Sequence, residues 1–297
     1  MIGNDEQRAE EELLLGELRR ELYGGIDPSV PSAARVWNYW LGGKDNFPAD
    51  RAAGERYRQA FPAIVDLARH SRAVLLRAVR HLVAYEGVRQ FLDLGVGMPS
   101  PSGDDVHAIA QRIDPSARVV HVDHDPLVLA HARGLLNGGC EGATAHCEGD
   151  LRDAECILRT AAQALDFAEP VAVLACHVVC HVTDDEQARD VVARLTAGLP
   201  EGSFLLLVDG VTSLPPDLVR AHADHILQVP FEPWVLRGPE SIARLLDGLE
   251  LLPPGLVAGT AWRPETAALT PAPAVEPLTA LCCIPAPTPP RPTGAVR

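Results

Sequence analysis

The chain has 297 residues, 47% of them apolar, and a formal net charge of −14. That length supports a sizeable core, and the acidic balance excludes a nucleic-acid backbone as the natural partner. No stretch reaches the ~20 apolar residues a membrane helix needs, so no membrane span is expected.

Seven cysteines, an odd number with Cys282 and Cys283 adjacent, suit reduced thiols in a cytoplasm better than a disulfide framework. The polar start (Asn4, Asp5, Glu6, Gln7, Arg8) is expected to carry no secretory leader.

Between Glu6 and Tyr23, Leu13, Leu14, Leu18 and Leu22 stand among many charges. This reads as a short amphipathic helix or a frayed extension, so residues 1–23 are set apart from a domain at 24–286. Gly24, Gly25, Pro28 and Pro31 interrupt the pattern. From Ser32 to Arg51, three large aromatics (Trp37, Tyr39, Trp40) precede a glycine pair and the triplet Lys44-Asp45-Asn46. Ser32 is placed to cap a helix through Leu41, with Gly42 as its stop. These aromatics could simply pack the helix on the core. The dense Lys-Asp-Asn turn is nevertheless unusual for a connector. From Ala63 to Tyr85, Val65, Leu67, Ala68, Leu75, Leu76, Val79 and Leu82 recur at helical spacing, which predicts a long helix covering a sheet.

The apolar run Val88 to Leu94 then ends in Gly95-Val96-Gly97. A buried strand running into a tight turn is expected, with Asp93 at its carboxyl end. Glycine at 95 and 97 admits close approach of a ligand to the backbone. In an open α/β sheet the crevice beyond the strand ends takes nucleotide-like ligands. Asp104-Asp105 opens the next helix; acids there suit the helix dipole and disfavour phosphate, against a dinucleotide. Arg118 to Asp123 is a second strand ending in an acid that suits two ribose hydroxyls. A helical pattern follows through Leu127 and Leu136. Ala145 to Asp150 is a third, weaker strand, with Asp150 placed to accept from an adenine amino group. Asp153 starts another helix.

Pro170 to Ala175 reads as a central buried strand. It ends in Cys176, His177, Cys180 and His181. On a helix those residues would pair as metal ligands; at a strand end they do not converge, and a closed zinc site draws on separated pairs, so no metal is expected. Buried cysteines beside partly exposed histidines are one reading. The other has His177 or His181 lining the crevice. A helix from Asp184, a strand Ser203 to Asp209, helices at 215–228 and 239–246, and two last strands within Leu249–Trp262 and Leu278–Ile284 complete an alternating pattern. The cofactor core thus spans 88–210. The Pro-rich end, 287–297, is expected to be disordered.

Residues 34–47, Ala-Arg-Val-Trp-Asn-Tyr-Trp-Leu-Gly-Gly-Lys-Asp-Asn-Phe, resemble the signature of the actinobacterial S-adenosylmethionine-dependent methyltransferases of the DUF574 type. Phe91 to Gly97, Val122 to Pro126, Gly149 to Asp153 and Gly255 to Pro264 match in the same order, so the resemblance covers about 27–284. The family's Gly-Thr-Gly is Gly-Val-Gly here, and the loop after Gly97 is longer.

The resemblance implies an α/β fold of the class I methyltransferase (Rossmann-like) type: a mostly parallel seven-stranded sheet, helices on both faces, an N-terminal helical extension. It implies S-adenosyl-L-methionine as cofactor. Asp93, Gly95 and Gly97 would lie along its methionine part, Asp123 and His124 by the ribose, and Asp150 and Leu151 by adenine. Within the signature segment, 32–51, Gly42 to Phe47 would fold over the crevice, with Lys44 and Asn46 binding the cofactor. Lys44 would pair with the cofactor's carboxylate, or Asp45 with its amino group. His177, His181 and Asp45 are the candidate bases, and the acceptor is expected to be a small molecule, with a homodimer left open. Two other functions fit the same ribose acid: a NAD-dependent oxidoreductase, against which the third glycine is missing, and a non-catalytic protein that binds an adenosine ligand.

Overall fold

The structure is a computed structural model that describes residues 26–100, 102–136, 144–228, 232–264, 273 and 275–285. The expected extension at 1–23 and tail at 287–297 lie outside the described residues.

Before the sheet come helices α1 (Ala33–Trp40), α2 (Pro48–Ala60) and α3 (Ile64–Ala84). Then β1 (Gln90–Leu94), α4 (Val106–Ile113), β2 (Arg118–Asp123), α5 (Pro126–Leu136), β3 (Thr144–Glu148), α6 (Ala154–Ala161), β4 (Ala172–Cys176), α7 (Asp185–Ala197) and β5 (Phe204–Asp209) alternate. They are followed by α8 (Pro216–Gln228), α9 (Pro239–Leu245), β6 (Glu250–Leu251), β7 (Val257–Ala258) and β8 (Leu278–Cys283). The strand order is β3-β2-β1-β4-β5-β8-β6, with β7 also on β8. β1 to β5 are parallel and β8 is antiparallel to β5. The sheet therefore has eight strands among the described residues, one more than expected. The Leu249–Trp262 stretch breaks at Pro253-Pro254, because proline has no N–H for a ladder, and leaves two short strands instead of one.

Period-two alternation sorts the side chains to two faces. Leu92, Leu94, Val120, Val122, Val173, Leu205 and Leu207 pack on α6, α7 and α9. Phe91, Val119, Leu174, Leu206 and Val208 pack on α3 and α4. A third apolar cluster sits apart from both. It joins α1, α2 and the start of α3 to α8 and Trp234 through Val36, Trp40, Tyr57, Ile64, Leu67, Leu218 and Trp234. Tyr57 is its centre: fully buried, hydrogen-bonded to His222 Nδ1 at 3.1 Å, its ring 5.6 Å from that of Trp234. These segments cap the carboxyl ends of the strands, where the order reverses between β1 and β4 and a ligand crevice opens.

Candidate active site

Asp123 ties three strand ends together. Its carboxylate accepts from the N–H groups of Gly97 (2.9 Å), His124 (2.8 Å) and Asp125 (2.9 Å), and its carbonyl accepts from Gly149 (3.1 Å). The turn after β1 is drawn onto β2 as well: Gly95 and Val96 donate to the Val122 carbonyl at 2.8 and 3.2 Å. Gly95 has φ +62°, and a Cβ there would stand 2.6 Å from Val178, so a side chain would be strained twice over. Burial raises the Asp123 carboxyl's pKa in spite of its donors.

A cavity of about 580 Å³ opens above this turn. Asp93, Gly95, Gly97, Asp123 and His124 line it from the sheet side, and His177 and His181 from the end of β4. Its roof is Val30 to Leu41, with Trp37 inward, and Ser71, Arg72 and Leu75 of α3 form a wall. A second cavity of about 130 Å³ adjoins it, lined by Asp123, His124, Gly149, Asp150, Leu151 and Arg152. His124 and Glu232 form an ion pair across the region the two cavities share. The pair pushes the His124 pKa up to about 9.

The expected site residues thus divide. Asp93, Gly95, Gly97, Asp123, His124, Asp150, Leu151, His177 and His181 line one cavity or both. Lys44, Asp45 and Asn46 line neither. Lys44 and Asp45 are exposed. Asn46 donates to Asn38 Oδ1 (2.8 Å) and the Gly43 carbonyl (3.0 Å), closing the turn on itself. Gly43 is required there, since a Cβ would come within 2.2 Å of the Asn38 amide. The part of the signature over the cavity is the helix before the glycines. It is anchored by Arg35, which donates to Asp50 at 2.9 Å and lies 3.9 Å from Asp125, and by a hydrogen bond from Ser32 to Asp125.

Sequence reasoning missed Arg72, the cation on the wall beside the glycine turn. It is paired with Asp105 and donates to the Asp104 carbonyl at 2.8 Å, fixing the loop after Gly97. Of the acids at the start of α4, Asp105 is therefore its counter-ion, while the Asp104 carboxylate pairs with Arg112 at 3.3 Å.

The Cys-His segment is a strand end, as the apolar run indicated. β4 stops at Cys176, His177 turns the chain with φ +50°, and a short 3-10 turn holds Val179–His181. His177 packs against Trp37 with ring centroids 4.8 Å apart and meets Ser71 Oγ at 2.7 Å. Donor atoms of His177, Cys180 and Asp209 lie within 4.8 Å of one another. The chemistry of this trio is that of a brace. Asp209 accepts from the N–H groups of Gly210 (2.5 Å) and Cys180 (2.8 Å), and burial holds the Cys180 thiol protonated. His181 Nδ1 faces the Pro233 carbonyl at 3.3 Å, so that nitrogen carries the proton and Nε2 keeps its lone pair.

Burial lowers the pKa of His177 to about 3 and of His146 and His225 to about 4. Unfolded histidine titrates near 6.5, so below ~6.5 the unfolded chain binds protons the fold refuses, and stability falls as pH drops. Asp209, raised to about 6 by burial, opposes this, because there the fold holds the extra proton. His124, held near 9 by Glu232, opposes it too, but three groups outweigh two: unfolding monitored by circular dichroism is expected to show a loss of about 2 kcal/mol between roughly pH 7 and 5.5. A flat profile would contradict it.

The family model described as S-adenosyl methyltransferase matches residues 20–284. A DUF574 family protein from Streptomyces avermitilis is similar in structure, with a TM-score of 0.78, 35% identity, and coverage of 87% of this chain and 99% of its own. A candidate methyltransferase from Thermobifida fusca has a TM-score of 0.78 and 34% identity over 87% of this chain and 96% of its own. No curated protein matches the sequence. The chain belongs to the S-adenosyl methyltransferase family, and its sheet is that of a class I methyltransferase.

Proposed function

We propose that this S-adenosylmethionine-dependent methyltransferase acts on a small neutral or cationic acceptor held under Trp37. The observation that carries the reading is the convergence of Asp93, Gly95, Gly97 and Asp123 on one cavity at the point where the strand order reverses. The residues present fit S-adenosyl-L-methionine. Asp93 has one carboxylate oxygen without a hydrogen bond among the described residues, suited to the cofactor's amino group. Arg72 replaces Lys44 as the candidate for its carboxylate, because Arg72 lines the cavity and Lys44 does not. Asp123 would take the ribose, with Asp150 and Leu151 by the adenine in the smaller cavity.

When bound, the cofactor supplies a methyl group on a positive sulfur that leaves neutral, so the chain need not protonate a leaving group. Its own tasks are to orient the acceptor, to exclude water and to accept a proton. His181 is the better base candidate: its neutral ring offers Nε2 and it borders both cavities. His177, with a pKa pushed to about 3, suits ring stacking and positioning. Asp45 is set aside, being exposed and off the cavity.

The lining mixes Val30, Ala34, Leu41 and Leu75 with the acids of the cofactor end, which favours a neutral or cationic acceptor over an acid. The free thiols of Cys147, Cys156, Cys176, Cys180, Cys282 and Cys283 support a cytoplasmic setting. No helix among the described residues is long and apolar enough to cross a membrane.

Calorimetric titration with S-adenosylmethionine, S-adenosylhomocysteine and NAD tests the cofactor. Micromolar binding of the first two without NAD is the expected result. Binding of NAD alone would overturn the reading.

A further inference from the structure

A polar row crosses the sheet inside the otherwise apolar layer under α3 and α4. Asp93, His121 and His146 are direct partners in the registers β1–β2 and β2–β3, so they stand side by side on one face. Asp93 and His121 are 3% and 2% exposed. His121 Nδ1 meets Asp93 Oδ2 at 2.9 Å, and His121 Nε2 meets His107 Nδ1, on α4, at 3.1 Å. The His146 ring stacks on His121 at 5.0 Å. A carboxylate only accepts, so His121 donates from Nδ1 to Asp93, while its Nε2 pairs with Nδ1 of His107 on the other side of the ring. Two strand positions that would ordinarily carry apolar side chains instead hold one carboxylate oxygen still. Asp93 lines the cavity beside the glycine turn, and its other oxygen has no hydrogen bond among the described residues.

We propose that His121, itself oriented by His107, is a positioning residue for the amino-acid end of the cofactor. It holds Asp93 so that its free oxygen receives the cofactor's ammonium group. The proposal rests on the cofactor reading given above and goes further by assigning a recognition element two residues before the ribose acid. A carboxylate held through one oxygen by a single ring N–H keeps its second oxygen for a cationic ligand, whereas a forked arginine partner would occupy both.

The test uses two nucleosides that differ in the part Asp93 would bind. S-adenosylhomocysteine carries the amino-acid chain, and 5′-methylthioadenosine lacks it. With His121→Leu, affinity for the first is expected to fall about 10-fold or more, while affinity for the second stays within about 2-fold, as expected for loss of one hydrogen-bonded charge contact. His121→Asn, whose amide can donate from the position of Nδ1, restores most of the loss. His107→Leu, on a half-buried position of α4 and less prone to misfold, gives a smaller loss with the same selectivity. Equal losses with both nucleosides, or none with S-adenosylhomocysteine in either leucine variant, would overturn the role of His121. Failure of the wild-type protein to bind either nucleoside would instead overturn the cofactor reading.

Discussion

Asp123→Ala is expected to weaken S-adenosylhomocysteine binding by about 100-fold or more, since two charge-assisted hydrogen bonds to a ribose are worth about 3–6 kcal/mol together. Two effects combine. The carboxylate is the intended acceptor for the ribose hydroxyls. It also holds Gly97, His124 and Asp125 by their N–H groups, so its removal loosens the turn that faces the methionine. Folding should suffer less than binding. Burial raises this carboxyl's pKa, a sign that its charge is held in the fold at a cost rather than optimised for stability. Asp123→Asn separates the effects, because the amide keeps one acceptor oxygen for the turn and brings a donor toward the ribose. Calorimetry on the two variants, with thermal midpoints alongside, should order the affinities as wild type, asparagine, alanine, with the alanine midpoint lowered by the N–H groups it strands. An alanine variant that binds within tenfold of wild type would remove Asp123 from the ribose site.

The elements that locate the cofactor were legible because parallel strands buried on both faces read as unbroken apolar runs. Arg118–Asp123 and Pro216–Gln228 emerged within a residue of their true ends. The helix Pro48–Ala60 did not emerge. Its buried residues are Asp50, Ala53, Gly54 and Tyr57, so no stripe of large apolar side chains marks it, and it packs through small residues and one tyrosine. Gly54 lets the indole of Trp40 donate to its carbonyl at 3.1 Å. His121 was passed over for the opposite reason. It stands in a clear strand, and nothing local to Val-Val-His-Val tells that residue 93 on the neighbouring strand supplies its partner. Register is a tertiary fact, and the same holds for Arg72, whose place on the wall depends on how α3 lies across β4 and β5. The signature segment was recognised as a whole, but its chemistry was assigned to the charged residues within it. In the fold the uncharged and buried members carry the roof.

That division of the signature gives the second large effect. Asp50 is fully buried and accepts from Arg35 Nε (2.9 Å), Ser32 N–H (3.0 Å) and Phe47 N–H (2.7 Å). Arg35 is 4% exposed, donates also to the Val30 carbonyl at 2.5 Å, and lies over the Phe47 ring at 5.2 Å. Asp50→Ala takes from a buried guanidinium its hydrogen-bonded acid and leaves it only Asp125 at 3.9 Å, which costs about 3 kcal/mol and should lower the thermal midpoint by roughly 10 °C. Because Arg35 and Ser32 also reach Asp125, which follows the ribose acid, the same variant should lose S-adenosylhomocysteine affinity as the roof loosens. Replacing both partners by apolar residues, Arg35→Met with Asp50→Leu, removes the stranded charge and should recover part of the stability. Lys44→Ala and Asp45→Ala, on the exposed turn a few residues away, are expected to change stability by no more than about 0.5 kcal/mol and to leave affinity unchanged. A tenfold loss of affinity in Lys44→Ala would return the cofactor's carboxylate to that lysine and take it from Arg72. An undisturbed Asp50→Ala would mean that helix packing through Trp40 and Tyr57, rather than the ion pair, holds the roof over the cavity.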